Sequence, residues 1–343
     1  MSAREPVSGR GAAGKAAVPD QERAYYLHTL RDRVIVIAAV DDSARGECVR
    51  VGEEIANEAG AHVVVVERST ANAMPGSDGL VLEVWRSLKR ANFVRVEVAD
   101  VRVAAALVAS GGRVNKLVMV GKGLALETRD GARRSFVDVG AAGLPGDLID
   151  VARPLYEGVD GVNLCEPGGL SAELFTYTGS GTLLTNGDYG EIRRLGYADY
   201  TSAASVLARG VALGYLRERS DREVEDLLPR AFGFFTAGPA PAGVVALDVE
   251  TYSDAGCGEL EALFTISRFH HEGVGRRLVE AVFAAARESG LEAVFAVSAN
   301  PLAIEFFEIC GFEPVEHDEL PTPKWQNYPS ERRGLVTPLL YKL

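Results

Sequence analysis

The sequence predicts an α/β protein in two units, a parallel sheet layered with helices followed by a smaller mixed-sheet α+β unit. Three patterns carry that expectation. The runs RVIVIAAV, AHVVVVER and NKLVMV are short, apolar and β-branched, and each is followed by Gly, Asp or Asn and a more helical stretch. Such runs read as buried parallel strands. The spans from Glu47 to Ala59 and from Asp100 to Ala109 carry apolar residues at helical spacing, as crossover helices between those strands would. Past residue 190 the order changes to a helical start, then AGVVALDVE and ELEALFTIS as a hairpin, the helix RRLVEAVFAAARESG, the strand AVFAVS and the helix AIEFFEICGF. A hairpin ahead of the first crossover makes that sheet mixed.

The 343 residues exceed one ordinary core and suit about two domains. Residues 1–24, rich in Gly, Ala, Ser and Arg without apolar period, read as a disordered arm. The turn-rich segment GSGTLLTNGDYG closes the first unit, which places the domains at 25–187 and 188–343. With 36 basic against 48 acidic side chains the formal charge is −12, which repels a phosphate backbone, so nucleic acid is not an expected partner. Cys48, Cys165, Cys257 and Cys310 are too scattered to grip zinc or frame disulfides, so no metal is expected. No apolar run approaches a membrane span and the N-terminus lacks an apolar signal core, so a cytoplasmic location without membrane contact is expected.

The most informative window is GELEALFTISRFHHEGVGRRL, Gly258 to Leu278, in which an apolar strand enters a His-His-Glu-Gly-Val-Gly turn and then a long amphipathic helix. Glycines there let main-chain N–H groups converge on a pyrophosphate at the positive helix end. By itself such a turn is equally a tight bend. The strand AVFAVS and the segment SANPLAIEFFEICGF follow it.

In this order the segments resemble the GNAT acyltransferases over about the last 150 residues. Together with ELFTYTGSGTLL, GDYGEIRRLGYADY and DELPTPKWQNYPSERR, the whole chain resembles the bacterial-type N-acetylglutamate synthases, which join an amino-acid-kinase-like domain to a GNAT domain. The resemblance implies an α/β/α sandwich followed by the GNAT fold. It implies acetyl-CoA as co-substrate and acetylation of an amino acid's α-amine, glutamate first, opening arginine biosynthesis. It also implies an arginine effector and a homo-oligomer. The pyrophosphate and thioester contacts fall on Phe264, Thr265, Ile266, His270, His271, Glu272, Gly273, Val274, Gly275, Asn300 and Phe307. His270 stands where the family usually has Arg or Gln.

The chemistry needs a base for the ammonium proton, an acid for the leaving thiolate and cations for substrate carboxylates. The family position of the base is Glu259, with Glu261 two residues on as the alternative; a strand-edge surface glutamate is the structural reading of the same residue. Ser298 matches the residue that assists the sulfur, and on physics alone it equally caps a turn. Family matching puts the substrate cations at Arg193, Lys324 and Arg333, each of which alone reads as a solvated charge. Two residues past Arg333, Leu335 replaces the family's serine, which leaves another amino acid or a specialised-metabolite amine open as acceptor.

The first unit lacks a phosphate lysine and a glycine cluster after its opening strands, so it is expected to be catalytically silent. Glu173 and Gly181 match the family's arginine-binding segment, with an internally paired helix residue as the alternative for Glu173. A non-catalytic sensor of arginine or acyl-CoA is the rival of another class.

Overall fold

The computed structural model describes residues 20–69, 77–128, 131–142, 149–186, 190–236, 240–266, 273–326, 328 and 330–343. Two seven-stranded sheets organise it. The first contains β1 (Val34–Ala39), β2 (His62–Arg68), β3 (Phe93–Val98), β4 (Lys116–Val120), β5 (Phe136–Asp138), β6 (Gly161–Cys165) and β7 (Thr182–Thr185), in the order β3-β2-β1-β4-β6-β7-β5. All its neighbours are parallel except β6 and β7. Strand β1 shows why the layers form. Ile35 and Ile37 enter the core under the helices Arg45–Ala59 and Leu170–Phe175. Val36 and Ala38 enter the opposite core, under Ser77–Leu88, Val101–Gly112 and Ile149–Tyr156. A strand covered on both faces has no polar side to show, which is why it reads as an unbroken apolar run.

The expected strands became β1, β2 and β4, and the expected helices became Arg45–Ala59 and Val101–Gly112. TLLT inside the turn-rich closing segment is strand β7 and not a turn. It is carried by pairing with both β5 and β6.

The second sheet contains β8 (Glu191–Arg194), β9 (Ala231–Phe235), β10 (Pro241–Asp248), β11 (Cys257–Thr265), β12 (Ala293–Ser298), β13 (Glu313–Pro314) and β14 (Thr337–Lys342), in the order β13-β14-β12-β11-β10-β9-β8. Only β11 and β12 run parallel; the remaining pairs are antiparallel. This is the mixed sheet that the hairpin implied.

The arm expected over residues 1–24 is corrected at its end, because a helix spans Asp20–Leu30. Residues 1–19 lie outside the described residues. Tertiary contacts hold that helix. The Glu22 carboxylate accepts from the Tyr177 N–H at 2.8 Å and pairs with Arg209 at 3.3 Å, while Tyr25 Oη donates to the Pro241 carbonyl at 2.8 Å. Tyr177 belongs to the first unit; Arg209 and Pro241 belong to the second. The helix therefore bolts the two sheets together.

Candidate active site

Strand β11 positions the chemistry through two departures from regular pairing. It runs beside β12 only over Cys257–Glu259, opposite Ala293–Phe295. After that β11 stays with β10 as far as Thr265, and β12 stays with β14 as far as Ser298. The strands diverge, and from Leu260 onward β11 has no ladder partner on the β12 side. The second departure is a bulge, where the register with β10 slips between Val244 and Ala246 and Ala262 takes φ +58°. One extra residue flips the alternation of faces. Glu259, Glu261 and Phe264 thus stand opposite Asp248, Ala246 and Val244, all on one face, although Glu261 and Phe264 are an odd number of residues apart.

Glu259 lies at the root of the gap and is 9% exposed. Its Oε2 accepts from Tyr252 Oη at 2.8 Å and its Oε1 from Lys324 Nζ. Burial pushes this carboxyl above the ordinary glutamate range; the Lys324 charge and hydrogen bond oppose the shift, and the charge of Glu261 adds to it. Glu261 is held by Arg219 at 3.2 Å and Arg230 at 3.0 Å, so it is the poorer base. Arg230 also reaches Asp248 at 2.6 Å. Among the described residues, the Nε atoms of Arg219 and Arg230, like those of Arg45 and Arg209, are buried without a hydrogen-bond partner. Burial lowers the pKa of Arg219.

Across the gap, Ser298 ends β12. Its Oγ accepts from the Asn300 N–H at 3.1 Å, which leaves its own proton to donate elsewhere. On the β11 side the Ile266 N–H already bonds the Ala242 carbonyl at 2.9 Å. By strand alternation the N–H of Thr265 is the one aimed toward the gap. Ile266 is therefore corrected as a thioester donor.

The helix Val274–Glu288 begins at Gly273, whose φ is +77°, and no side chain caps it. A Cβ on Gly275 would stand 3.1 Å from the Phe306 ring, a tight approach. Val274 is 3% exposed and can serve only through its backbone. His270, His271 and Glu272 lie outside the described residues. Two other expected contacts are structural. Asn300 caps the helix Pro301–Ile309 by accepting from the Leu302 N–H at 3.0 Å. Phe307 is buried against Phe312, with ring centroids 5.2 Å apart, and Phe306 is the aromatic that meets the glycine turn.

The three expected substrate cations divide. Lys324 sits on the base itself. Arg333 stacks on Trp325 at 4.8 Å and has no ion pair among the described residues. Its carbonyl accepts from His317 Nε2 at 2.8 Å, which ties this flap to the turn before it. Arg193 is corrected: it forms two hydrogen bonds to Asp199, at 2.8 and 2.9 Å, and lies over Phe235 at 3.7 Å. It stands on the edge strand β8, level through Gly233 and Val244 with Phe264 three strands away. The structure does not bring it to Glu259.

Residues 209–312 match the acetyltransferase (GNAT) family. That match falls on the second unit, over strands β9 to β12. The chain is similar to the amino-acid acetyltransferase of Neisseria meningitidis serogroup A, at 30% identity over 198 residues, covering 57% of this chain and 44% of that protein. A relative of the same name from Ectopseudomonas mendocina is 27% identical over 200 residues, 56% of this chain and 44% of that protein. The match therefore spans less than half the length of these curated relatives. Among solved structures, N-acetylglutamate synthase from Neisseria gonorrhoeae, complexed with coenzyme A and L-arginine, superposes with a TM-score of 0.61 at 18% identity, covering 94% of this chain and 98% of that one. That likeness shows a shared fold over both units.

Sequence reasoning missed Tyr252, Arg219 and Arg230 around the GNAT cleft. Arg219 precedes a capping box, Ser220 with Glu223, and on the sequence it looks like one more solvated charge. At the carboxyl ends of β1, β4 and β6 the chain's own carboxylates accept main-chain hydrogen bonds. Asp41 accepts from the Lys122 N–H, Glu166 from Gly123 at 2.7 Å, and Glu47 from Gly168 at 2.6 Å and Leu170 at 3.0 Å. These are the donors that a kinase would aim at its nucleotide.

Glu173 is 1% exposed and is an internal hub. It accepts from Asn163 Nδ2 and from the N–H groups of Ser180 at 2.8 Å and Gly181 at 2.7 Å. Gly181 has a packing reason too, for a Cβ there would lie 2.0 Å from the Leu164 carbonyl oxygen. Glu173 lines a cavity of about 80 Å³ between the two units, together with Tyr25, Tyr26, Lys116, Asn163 and Ile266.

Proposed function

We propose that the protein transfers the acetyl group of acetyl-CoA to the α-amine of an amino acid, with L-glutamate as the first choice. The observation that carries this reading is Glu259, a buried carboxylate at the root of two diverging strands in a GNAT domain, with Ser298 on the facing strand. The residues fit the coenzyme: a glycine-headed helix turns its first N–H donors toward a diphosphate, and the strand gap admits a thioester. Glu259 takes a proton from the acceptor's ammonium. The freed nitrogen attacks the thioester carbon, the C–N bond forms, the C–S bond breaks and the sulfur leaves as thiolate. Thr265 N–H holds the carbonyl oxygen while charge develops there, and Ser298 gives the sulfur a proton that solvent restores.

Arg219 and Arg230, through their unpartnered Nε donors, and Arg333, through its unpaired guanidinium, hold the acceptor's carboxylates. The kinase-like unit is silent in phosphoryl transfer and regulatory in role. The cavity beside Glu173 is its effector site, for a cation of arginine's shape, supported by the carboxylate hub and by the arginine named with the gonococcal structure.

Thiol release from acetyl-CoA, measured across a panel of amines with and without arginine, tests the reading. Glutamate is expected among the best acceptors, and its absence from them overturns that assignment. Glu259→Gln should lower turnover by about 10²- to 10⁴-fold with coenzyme A affinity kept. Unchanged turnover removes Glu259 from the mechanism.

A further inference from the structure

Glu259 is not free to act as it stands. Both of its carboxylate oxygens have a donor, and the donors come from separate elements. Tyr252, in the turn after β10, is fixed edge-on against Phe295 with ring centroids 4.9 Å apart. Lys324 comes from the short helix Thr322–Gln326, and its side chain is 14% exposed against 12% for Glu259. An ammonium on Oε1 lowers the basicity of the carboxylate and occupies the place where the acceptor's own ammonium must dock. Two like charges cannot share that place in a site this dry.

Among the described residues, the carboxylates of Glu261 and Asp248 are already paired, Glu261 with Arg219 and Arg230, and Asp248 with Arg230. A group that Lys324 can move to is an aromatic face, Tyr328, whose ring lies 5.5 Å from Nζ. A carboxylate brought by the acceptor changes this. The Lys324 ammonium then passes from Glu259 to the incoming carboxylate, and the incoming ammonium takes its place on Glu259. Two ion pairs exchange partners and no charge is left buried and alone, so the swap avoids the cost of breaking a buried pair. Lysine suits this better than arginine, being a point charge on a flexible stem and not a fork fixed to one partner.

We propose that Lys324 is a latch on the catalytic base, opened by the acceptor's α-carboxylate, and that this exchange selects α-amino acids over amines lacking that group. The inference rests on Glu259 being the base.

Glutamate and 4-aminobutyrate, which differ only by the α-carboxylate, are the probes, and kcat/KM for each is the readout. In Lys324→Met the preference for glutamate is expected to fall by at least about tenfold, with glutamate turnover lowered and 4-aminobutyrate turnover rising or first appearing. Lys324→Gln, which keeps a polar group, should shift in the same sense, and Lys324→Arg should retain most of the preference. The acid limb of the pH profile should also move up in Lys324→Met. Glu259 is then faced by Tyr252 and the negative Glu261 without the cation that held its carboxyl down. An unchanged preference in both neutral variants, with Glu259→Gln inactive, overturns the latch and keeps the base. Glu259→Gln with full turnover overturns the base reading itself.

Discussion

Arg219 is a buried cation beside Glu261. Its side chain is 8% exposed, its Nη2 reaches Glu261 at 3.2 Å, and its Nε is buried with nothing to bond. A buried, unsatisfied N–H on a charged group costs on the order of 1–3 kcal/mol. An acceptor carboxylate would recover that energy. Arg219→Met is therefore expected to raise KM for the amino acid by about 10- to 100-fold, the loss of one charge-assisted hydrogen bond of about 1.5–3 kcal/mol. Coenzyme A affinity, read by calorimetric titration, should stay within about twofold. Glu261 keeps Arg230 in that variant, so an equal loss of coenzyme affinity would mean that the cleft itself had collapsed.

At the scale of elements, the bulge in β11 sets which side chains share the site. It rephases the strand, already parted from β12 after Glu259, so that Phe264 shares a face with Glu259 and Glu261. The means is Ala262 at φ +58°, a conformation that strains any residue with a Cβ by about 1–2 kcal/mol. Ala262→Gly should remove that strain and leave stability within about 1 kcal/mol of the parent, because glycine loosens the unfolded chain. Ala262→Val should destabilise by about 1–3 kcal/mol and lower turnover, since a β-branched side chain will not hold this angle. Urea unfolding and thiol release measure the two effects. Equal stability of the two variants would show that the bulge does not depend on that angle.

For the whole molecule, the helix Asp20–Leu30 is the coupling between the two units. Its Glu22 joins Tyr177 of the first sheet's unit to Arg209 of the GNAT domain, and its Tyr25 bonds Pro241 at the head of β10. Pro241 adjoins Ala242, whose carbonyl fixes Ile266 beside the strand gap. A shift of the helix is thereby felt at the thioester strand. Glu22→Ala leaves the Tyr177 N–H unsatisfied and Arg209 unpaired, at a cost of about 1–3 kcal/mol in coupling. Differential scanning calorimetry should show one heat-absorption peak in the parent and two in the variant. A single peak in both would mean that the sheets are joined chiefly elsewhere.

The parts of this protein readable from residue order are those decided within a short window. Apolar β-branched runs became β1, β2 and β4, because a strand covered on both faces must be apolar throughout. The helix Val274–Glu288 behind Gly273, and the strands that carry Glu259 and Ser298, were legible for the same local reason. The edge strand β3 was missed, although its alternation of Arg95 and Glu97 with apolar residues is the period of a half-exposed strand. The electrostatics were not legible. Arg193 looked like a ligand clamp and is satisfied by Asp199, whereas Arg219, Arg230 and Tyr252 looked ordinary and surround the cleft carboxylates. Which charges meet depends on the register of β10 with β11 and on a single extra residue at Ala262. Folding brings together side chains from distant stretches, and no window along the chain contains both partners of such a pair.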